Sequence, residues 1–450
     1  MYIRLGYGSG SVQFDVPPER VGRELRPRRP PAAPDAEAFL ATELAAAFDP
    51  ARADCDGRSV LVLLPDGTRT LPHRAAYAAL TPLLARAASV RVRLATGTHR
   101  PDTPDNDRVL DIIRAVSAER GVPLAAAKAH DCRAGPFDLV GTTTRGNRVG
   151  LHRAVAESDA IIVVADTVPH YFAGYSNATK YLLPGVAAFD CIERNHAWAL
   201  DPLASACRHP LHPDPARRAN PVAEDQLEAA RLVTAQRPVF ALTALCGGGG
   251  VCRATFGPLE ESVADGIRMV NDWLVERVEA TYSRAVIGCG GYPNDETLYL
   301  AQRSLELTQE ALADGAEVLW LAECRNGIAS SREAIDNFFT PLKGDAAAYC
   351  RRVEKRYVMF AHKTVRFVRL MERLAAVHVV SALPSGTFPA GCMRACMIHL
   401  EEKGVLKNKF ERKFRTQAPW RLPADWKKDI PTSAQRLGPG PDNDPGVVSD

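Results

Sequence analysis

The sequence predicts an α/β fold: two α/β domains with largely parallel sheets and an active-site cleft between them. Three observations carry this reading. Short apolar runs, bounded by Gly, Pro or Asp, recur along the chain. Longer helical patterns separate most of them, and such alternation marks largely parallel sheets. At 450 residues the chain also exceeds the roughly 100–200 residues that one domain usually takes.

The runs are SVLVLLPDG at 59–67, SVRVRLATG at 89–97, AIIVVADT at 160–167, PVFALTAL at 238–245, RAVIGCGG at 284–291, EVLWLAE at 317–323 and AVHVVSALP at 376–384. Their length and β-branched content predict strands. Helical patterns cover 105–119, 222–236, 260–280, 297–314 and 346–373. The helix DGIRMVNDWLVERVEATYS leads to a fresh strand at 284, so the boundary falls near 275. The expected organisation is 1–275, 276–415 and a C-terminal extension, 416–450. RPRRPPAAP at 26–34 and HPLHPDPARRANP at 209–221 can continue neither a helix nor a central strand and predict surface connections. From about 430 the chain is Pro, Gly, Asp and Ser with few apolar residues, the composition of a disordered tail.

Composition excludes several classes. Hydrophobic residues make up 46% and charged residues 24%, as in globular proteins. The 56 basic and 53 acidic residues leave a net charge of +3, which predicts no nucleic-acid or membrane partner. The basic cluster at 402–416 reads as a solvated helix face. No window approaches the ~20 apolar residues of a membrane span, and MYIRLGYGSG lacks a signal-peptide layout, so a cytoplasmic protein is expected. Eleven cysteines without a C-x-x-C pair argue against a disulfide framework and a zinc ribbon. Cys392 and Cys396 would share a helix face, but two thiols alone make a poor metal site.

In open α/β sheets ligands bind beyond the carboxyl ends of the strands. The first such end carries PDGTRT, with Asp66 and Arg69; the second TGTHRPDT, with His99 and Arg100; the third DTVPHYFAGYS, with His170. Two imidazoles can act as general acid and general base on opposite faces of a substrate, because they titrate near neutrality. Arg69 offers a planar fork that matches a carboxylate. The outline is a site for a small hydroxy or keto acid. Lys180, flanked by Tyr181, Leu182 and Leu183, can act as a nucleophile beside an apolar wall. A lone His196 cannot hold a free metal tightly, so any metal there would arrive with other ligands.

GTHRPDT at 97–103, PHYFAGYS followed by Lys180 and LLPG, His196 after ERN, NPVAEDQLEAA at 220–230 and GYPNDETLY at 291–299 together resemble the nickel-dependent lactate racemase family of 2-hydroxyacid racemases and epimerases. The resemblance runs from YGSG near the N-terminus to about residue 400. It implies a nickel-pincer nucleotide, whose two sulfurs and ring carbon grip the metal, tethered to Lys180, with His196 as fourth nickel ligand. It implies His99 and His170 as the acid/base pair, Arg69, Tyr299 and Arg303 on the substrate, and Asp66, Thr68 and Ser176 on the cofactor. The implied reaction moves the C2 hydride of the substrate to the cofactor and back to the opposite face. The implied partners are the 2-hydroxy acid and the cofactor-synthesis enzymes, and the implied catalytic and cofactor-binding domain is 1–275.

Two departures from the family pattern bear on substrate. Leu300 and Arg303 stand where lactate racemases carry Gln and Lys, and Asn177, Ala178 and Thr179 precede the tethering Lys. They imply a larger or more apolar 2-hydroxy acid than lactate. Two other readings compete: a metal-dependent hydrolase or lyase using His99, His170 and His196, and a non-catalytic relative that binds a nucleotide or small acid. CGGGGVCRATFGP at 246–258 has neither G-x-G-x-x-G register nor a Walker Lys and reads as a structural turn. His209 and His212 are expected to be solvated, and His362 and Lys363 to be packing residues of a helix.

Overall fold

The computed structural model describes residues 2–15, 23–47, 55–384, 387, 395–398 and 436–437. The chain divides into two compact units, Arg28–Val275 and a second unit that joins the residues up to Pro27 to those from Glu276 onward. The N-terminal residues thus belong with the later unit, not with the residues that follow them in sequence. They form a hairpin of β1 (Tyr2–Tyr7) and β2 (Gly10–Asp15). Its tip is held inside the second unit, where the Gly8 amide donates to Asp295 Oδ2 at 2.7 Å. Gly8 has a positive φ of 53°, and a Cβ there would lie 2.0 Å from Glu323 Oε2, so only glycine fits.

The Arg28–Val275 unit opens with α1 (Ala36–Ala47) and then winds β3 (Ser59–Leu64), α2 (His73–Leu84), β4 (Ser89–Leu94), α3 (Pro104–Arg120) and β5 (Leu124–Ala129). An antiparallel excursion, β6 (Phe137–Thr142) and β7 (Arg148–His152), precedes β8 (Ala160–Asp166). A small hairpin follows, β9 (Val168–His170) with β10 (Gly174–Ser176), then α4 (Phe189–Ala197) and α5 (Pro221–Thr234). The unit ends with β11 (Val239–Gly247), β12 (Gly250–Pro258) and α6 (Leu259–Trp273).

Its main sheet has the order β12-β11-β8-β3-β4-β5. All neighbours are parallel except the β11–β12 hairpin. Buried residues Val60, Val62, Leu64, Val90, Val92, Ile162, Val164 and Leu242 pack one face against α1, α2 and α3. The Gly-rich stretch is the turn of the β11–β12 hairpin, with Gly248 at φ 58° and Gly249 at φ 77°, as the missing phosphate-loop register implies.

In the second unit β13 (Tyr282–Gly288), α7 (Leu298–Thr308) and β14 (Leu312–Leu321) are followed by a single turn, α8 (Arg332–Ala334), then α9 (Ala346–Lys355), α10 (Ala361–Arg373), β15 (Ala376–Val380) and β16 (Ala395–Ile398). A two-residue β17 (Arg436–Leu437) pairs with β2. The sheet β13-β14-β15-β16 is wholly parallel. The single helix expected over 346–373 is two, broken where Phe360 takes a φ of 70°. The basic cluster at 402–416 and Cys392 lie outside the described residues, as does the expected tail apart from β17; nothing is described of the Cys396 side chain. All nine described cysteines are free.

Candidate active site

The winding of the main sheet reverses at β3 and β8. From β3 the chain proceeds outward to β4 and β5, then returns to place β8 on the other side of β3 and continues to β11. A reversal of this kind leaves a crevice at the carboxyl ends of the two strands, where ligands bind. β3 ends two residues before Asp66, and β8 ends on Asp166, four residues before His170.

Asp66 is 1% exposed and serves as the hub of the first strand end. Its Oδ2 accepts from His99 Nδ1 at 2.6 Å, and its Oδ1 accepts from the Thr68 amide at 3.1 Å and Thr68 Oγ1 at 2.5 Å. Arg69 Nε lies 4.0 Å away. Burial pushes the carboxyl up, but His99, Arg69 and Thr68 together outweigh it and hold the group well below the ordinary carboxylate range. Asp66 is therefore an anion at neutral pH, and an anion can only accept, so His99 Nδ1 carries a proton.

Asn106 ties the two strand-end loops together. Its Oδ1 accepts from the Gly67 amide at 2.8 Å, while its Nδ2 donates to the carbonyls of Arg100 and Pro101 at 3.1 and 3.0 Å. The side chain can reach because Thr103 caps α3, accepting from the Asn106 amide at 3.2 Å.

The third strand end folds back as β9 and β10. His170 is 1% exposed, and its Nδ1 accepts from the Ala173 amide at 3.1 Å. Its ring stacks on Tyr171 at 5.0 Å and meets Phe172 edge-on at 4.6 Å. The opposite side of this aromatic group is His196, in the last turn of α4, with ring centroids 5.3 Å from Phe172. Ser176 is buried on β10, opposite Val168.

Lys180 sits in a buried 3-10 turn, Ala178–Tyr181, capped by Asn177, whose Oδ1 accepts from the Thr179 amide at 2.9 Å. Tyr181 anchors the turn to β8 by donating to Asp166 Oδ1 at 2.9 Å. The Gly97 amide donates to the Gly185 carbonyl at 3.0 Å, which joins the His99 loop to the end of this segment. Asp166 Oδ2 and Thr167 Oγ1 are buried and meet no hydrogen-bond partner, although both stand at the crevice end of β8.

The structure thus gathers Asp66, Thr68, Arg69, His99, His170, Ser176, Lys180 and His196 within one unit, at three strand ends and the segments that follow them. Tyr299 and Arg303 lie in the other unit, on α7. There the Lys363 ammonium sits 3.6 Å over the Tyr299 ring and donates to its carbonyl at 3.1 Å, while Arg303 Nε donates to the Leu300 carbonyl at 3.1 Å. Among the described residues no three His, Cys, Asp or Glu side chains gather closely enough to hold a metal; a three-imidazole centre of His99, His170 and His196 is not formed.

Sequence pattern gives no role to Asn106 or Asp166, whose only signal is a polar residue at an otherwise helical or strand position, and it marks the α5 segment only as the motif NPVAEDQLEAA without a role for its side chains. Two histidines expected to be solvated are buried. His209 and His212 are 0% and 2% exposed; their Pro-rich loop packs onto Tyr175, whose ring lies 6.4 and 6.2 Å from theirs. No described helix is long and apolar enough to cross a membrane.

Residues 7–206 match the lactate racemase N-terminal domain. The lactate racemase of Thermoanaerobacterium thermosaccharolyticum is 26% identical over 336 residues, 72% of this chain and 75% of that protein. That of Lactiplantibacillus plantarum is 24% identical over 281 residues, 60% of this chain and 61% of its own length. The solved lactate racemase apoprotein of the first organism shares the fold, with a TM-score of 0.74 at 22% identity over 88% of this chain and 92% of that one. A Thermotoga maritima protein is similar at a TM-score of 0.54 and 13% identity over 83% of this chain and 93% of its own. Residues 7–206 thus carry the lactate racemase N-terminal domain, and the chain is similar to lactate racemases in sequence and in fold.

Proposed function

We propose that the chain is a racemase or epimerase of a 2-hydroxy acid that works with a nickel-pincer nucleotide. The observation that carries this reading is the opposite proton placement on the two histidines. Asp66 keeps the His99 proton on Nδ1 and leaves Nε2 as an acceptor. The Ala173 amide occupies His170 Nδ1, so the neutral ring carries its proton on Nε2. His99 is poised to take a hydroxyl proton at Nε2, while His170 offers an Nε2–H hydrogen bond to the substrate oxygen and supplies a proton only as the imidazolium, once its Nδ1 has left the Ala173 amide and been protonated.

The donor set fits the implied cofactor. A bare ion would need several protein ligands, but a metal that arrives bound to sulfur and carbon needs one imidazole, which His196 supplies. Lys180 would hold the group covalently. The unpartnered Asp166 Oδ2 and Thr167 Oγ1 are acceptors that a nucleotide's hydroxyls can satisfy. When bound, the cofactor supplies reversible hydride acceptance, which spares the protein from removing a weakly acidic C–H as a proton.

The protein's own part is positioning and proton transfer. Arg69, with a side chain 13% exposed, holds the substrate carboxylate by its fork. His99 accepts the hydroxyl proton at Nε2, and the Asp66 anion stabilises the imidazolium that results. For the opposite enantiomer His170 takes the base role, which requires its Nδ1 to leave the Ala173 amide so that the ring proton can move off Nε2. Tyr299 and Arg303 are assigned to the substrate by resemblance, and Leu300 supports an acid larger or more apolar than lactate. A cytoplasmic location, with the cofactor-synthesis enzymes as partners, is part of this reading.

Metal analysis and intact mass of protein produced with those enzymes test the proposal. Stoichiometric nickel and a mononucleotide-sized adduct, both abolished by Lys180→Ala, are expected. His99→Ala and His170→Ala should keep nickel but stop interconversion. Zinc without an adduct would favour a hydrolase, and neither metal nor adduct a binding relative.

A further inference from the structure

The buried face of α5 carries a polar network that neither proton transfer nor substrate binding uses. Asp225 is 0% exposed. Its Oδ1 accepts from Thr143 Oγ1 at 2.6 Å, and its Oδ2 accepts from Asn147 Nδ2 at 2.8 Å and Asn195 Nδ2 at 2.9 Å. An apolar residue would fill this core position without desolvating a charge. The carboxylate is instead met by three donors, so it fixes direction as well as volume.

The donors point to what is being fixed. Asn195 directly precedes His196, and its Nδ2 also donates to the Val222 carbonyl at 3.2 Å, at the start of α5. Asn147 donates in addition to the Cys191 carbonyl at 3.2 Å. Positions 191 and 195 are one turn apart and share a face of α4, so the network grips that helix along one side. His196 follows about 100° further round the helix, where its ring meets Phe172. The other end of the brace is the cap of α5: Asn220 Nδ2 donates to the carbonyls of Phe172 and Ser205 at 2.9 and 3.2 Å. One helix therefore holds the loop behind His170 and the helix that carries His196.

We infer that Asp225, through Asn195, is the positioning residue that sets the rotation of α4 and so aims the His196 imidazole, with Asn220 fixing the facing Phe172 loop. The inference rests on the reading of His196 as the metal ligand. Asp225→Asn places an amide donor among the three donors and so breaks the grip without changing the volume.

Hydrogen exchange of the cofactor-free protein is the first test. Amides of 189–197 should exchange at least tenfold faster in Asp225→Asn than in wild type, with 259–273 unchanged. In protein carrying the cofactor, chelator should strip nickel at least tenfold faster while the mass adduct at Lys180 persists. Asp225→Asn combined with His196→Ala should lose nickel no faster than His196→Ala alone. Ser262→Ala, which removes a buried hydroxyl bonded to Ala241 and Thr243, should leave nickel release unchanged despite its thermal cost. If Asp225→Asn does not fold, Asn195→Ala makes the same test. Unaltered exchange over 189–197, or additive nickel loss in the double variant, overturns the inference. Wild-type protein without nickel would defeat the functional reading, while the exchange result would still decide the brace.

Discussion

Replacing Asp66 by Asn removes the charge that fixes the His99 proton and leaves the shape of the site in place. The bond at stake is 2.6 Å long and charge-assisted, and such bonds are worth about 1.5–3 kcal/mol. The His99 side chain is 34% exposed, so solvent screening reduces this to about 1–2 kcal/mol. If the bond strengthens as the imidazolium forms, that energy is lost from the transition state. The turnover number should then fall by about 5- to 30-fold. KM should change little, because Arg69 remains to hold the carboxylate. Initial rates in both directions, on the enantiomer pair that the wild-type enzyme interconverts, measure this. A turnover number within twofold of wild type in both directions would refute the role given to Asp66.

Other consequences follow from the same geometry. Asn106→Ala cuts three hydrogen bonds between the Asp66 and His99 loops and should destabilise by about 1–3 kcal/mol; urea titration should show a lower midpoint with the slope retained. Burial lowers His130 to about 4 and His209 to about 3, so both are neutral in the native state. Each imidazole binds a proton more readily when unfolded, so its stability contribution is full above about pH 6.5 and is lost as pH falls toward the native values. Thermal midpoints measured from pH 7 to pH 4.5 should decline, and His209→Asn should flatten the decline.

Much of the fold could be read locally. SVLVLLPDG, AIIVVADT and AVHVVSALP are strands because β-branched runs of that length suit little else, and each ends at or near the residue that stops it. LAAAKA at 124–129 was not legible as β5, since alanine carries no strand signal and only its parallel pairing with β4 makes it one. The Pro-rich loop with His209 and His212 was legible as a connection but not as a buried one, because composition does not tell a loop what will lie against it.

The sequence by itself determined the α/β class, the strand ends and the polar side chains set just beyond them, since those follow from local pattern and chain direction. The tertiary structure decided the rest. It placed β8 beside β3, which makes a crevice of two strand ends some hundred residues apart. It brought Asp66 to His99 and the Ala173 amide to His170, so that two identical side chains hold their protons on opposite nitrogens. It set Asp225 against Asn195 and joined the first hairpin to the second unit. Each of these depends on contacts between distant segments, and no local periodicity encodes them.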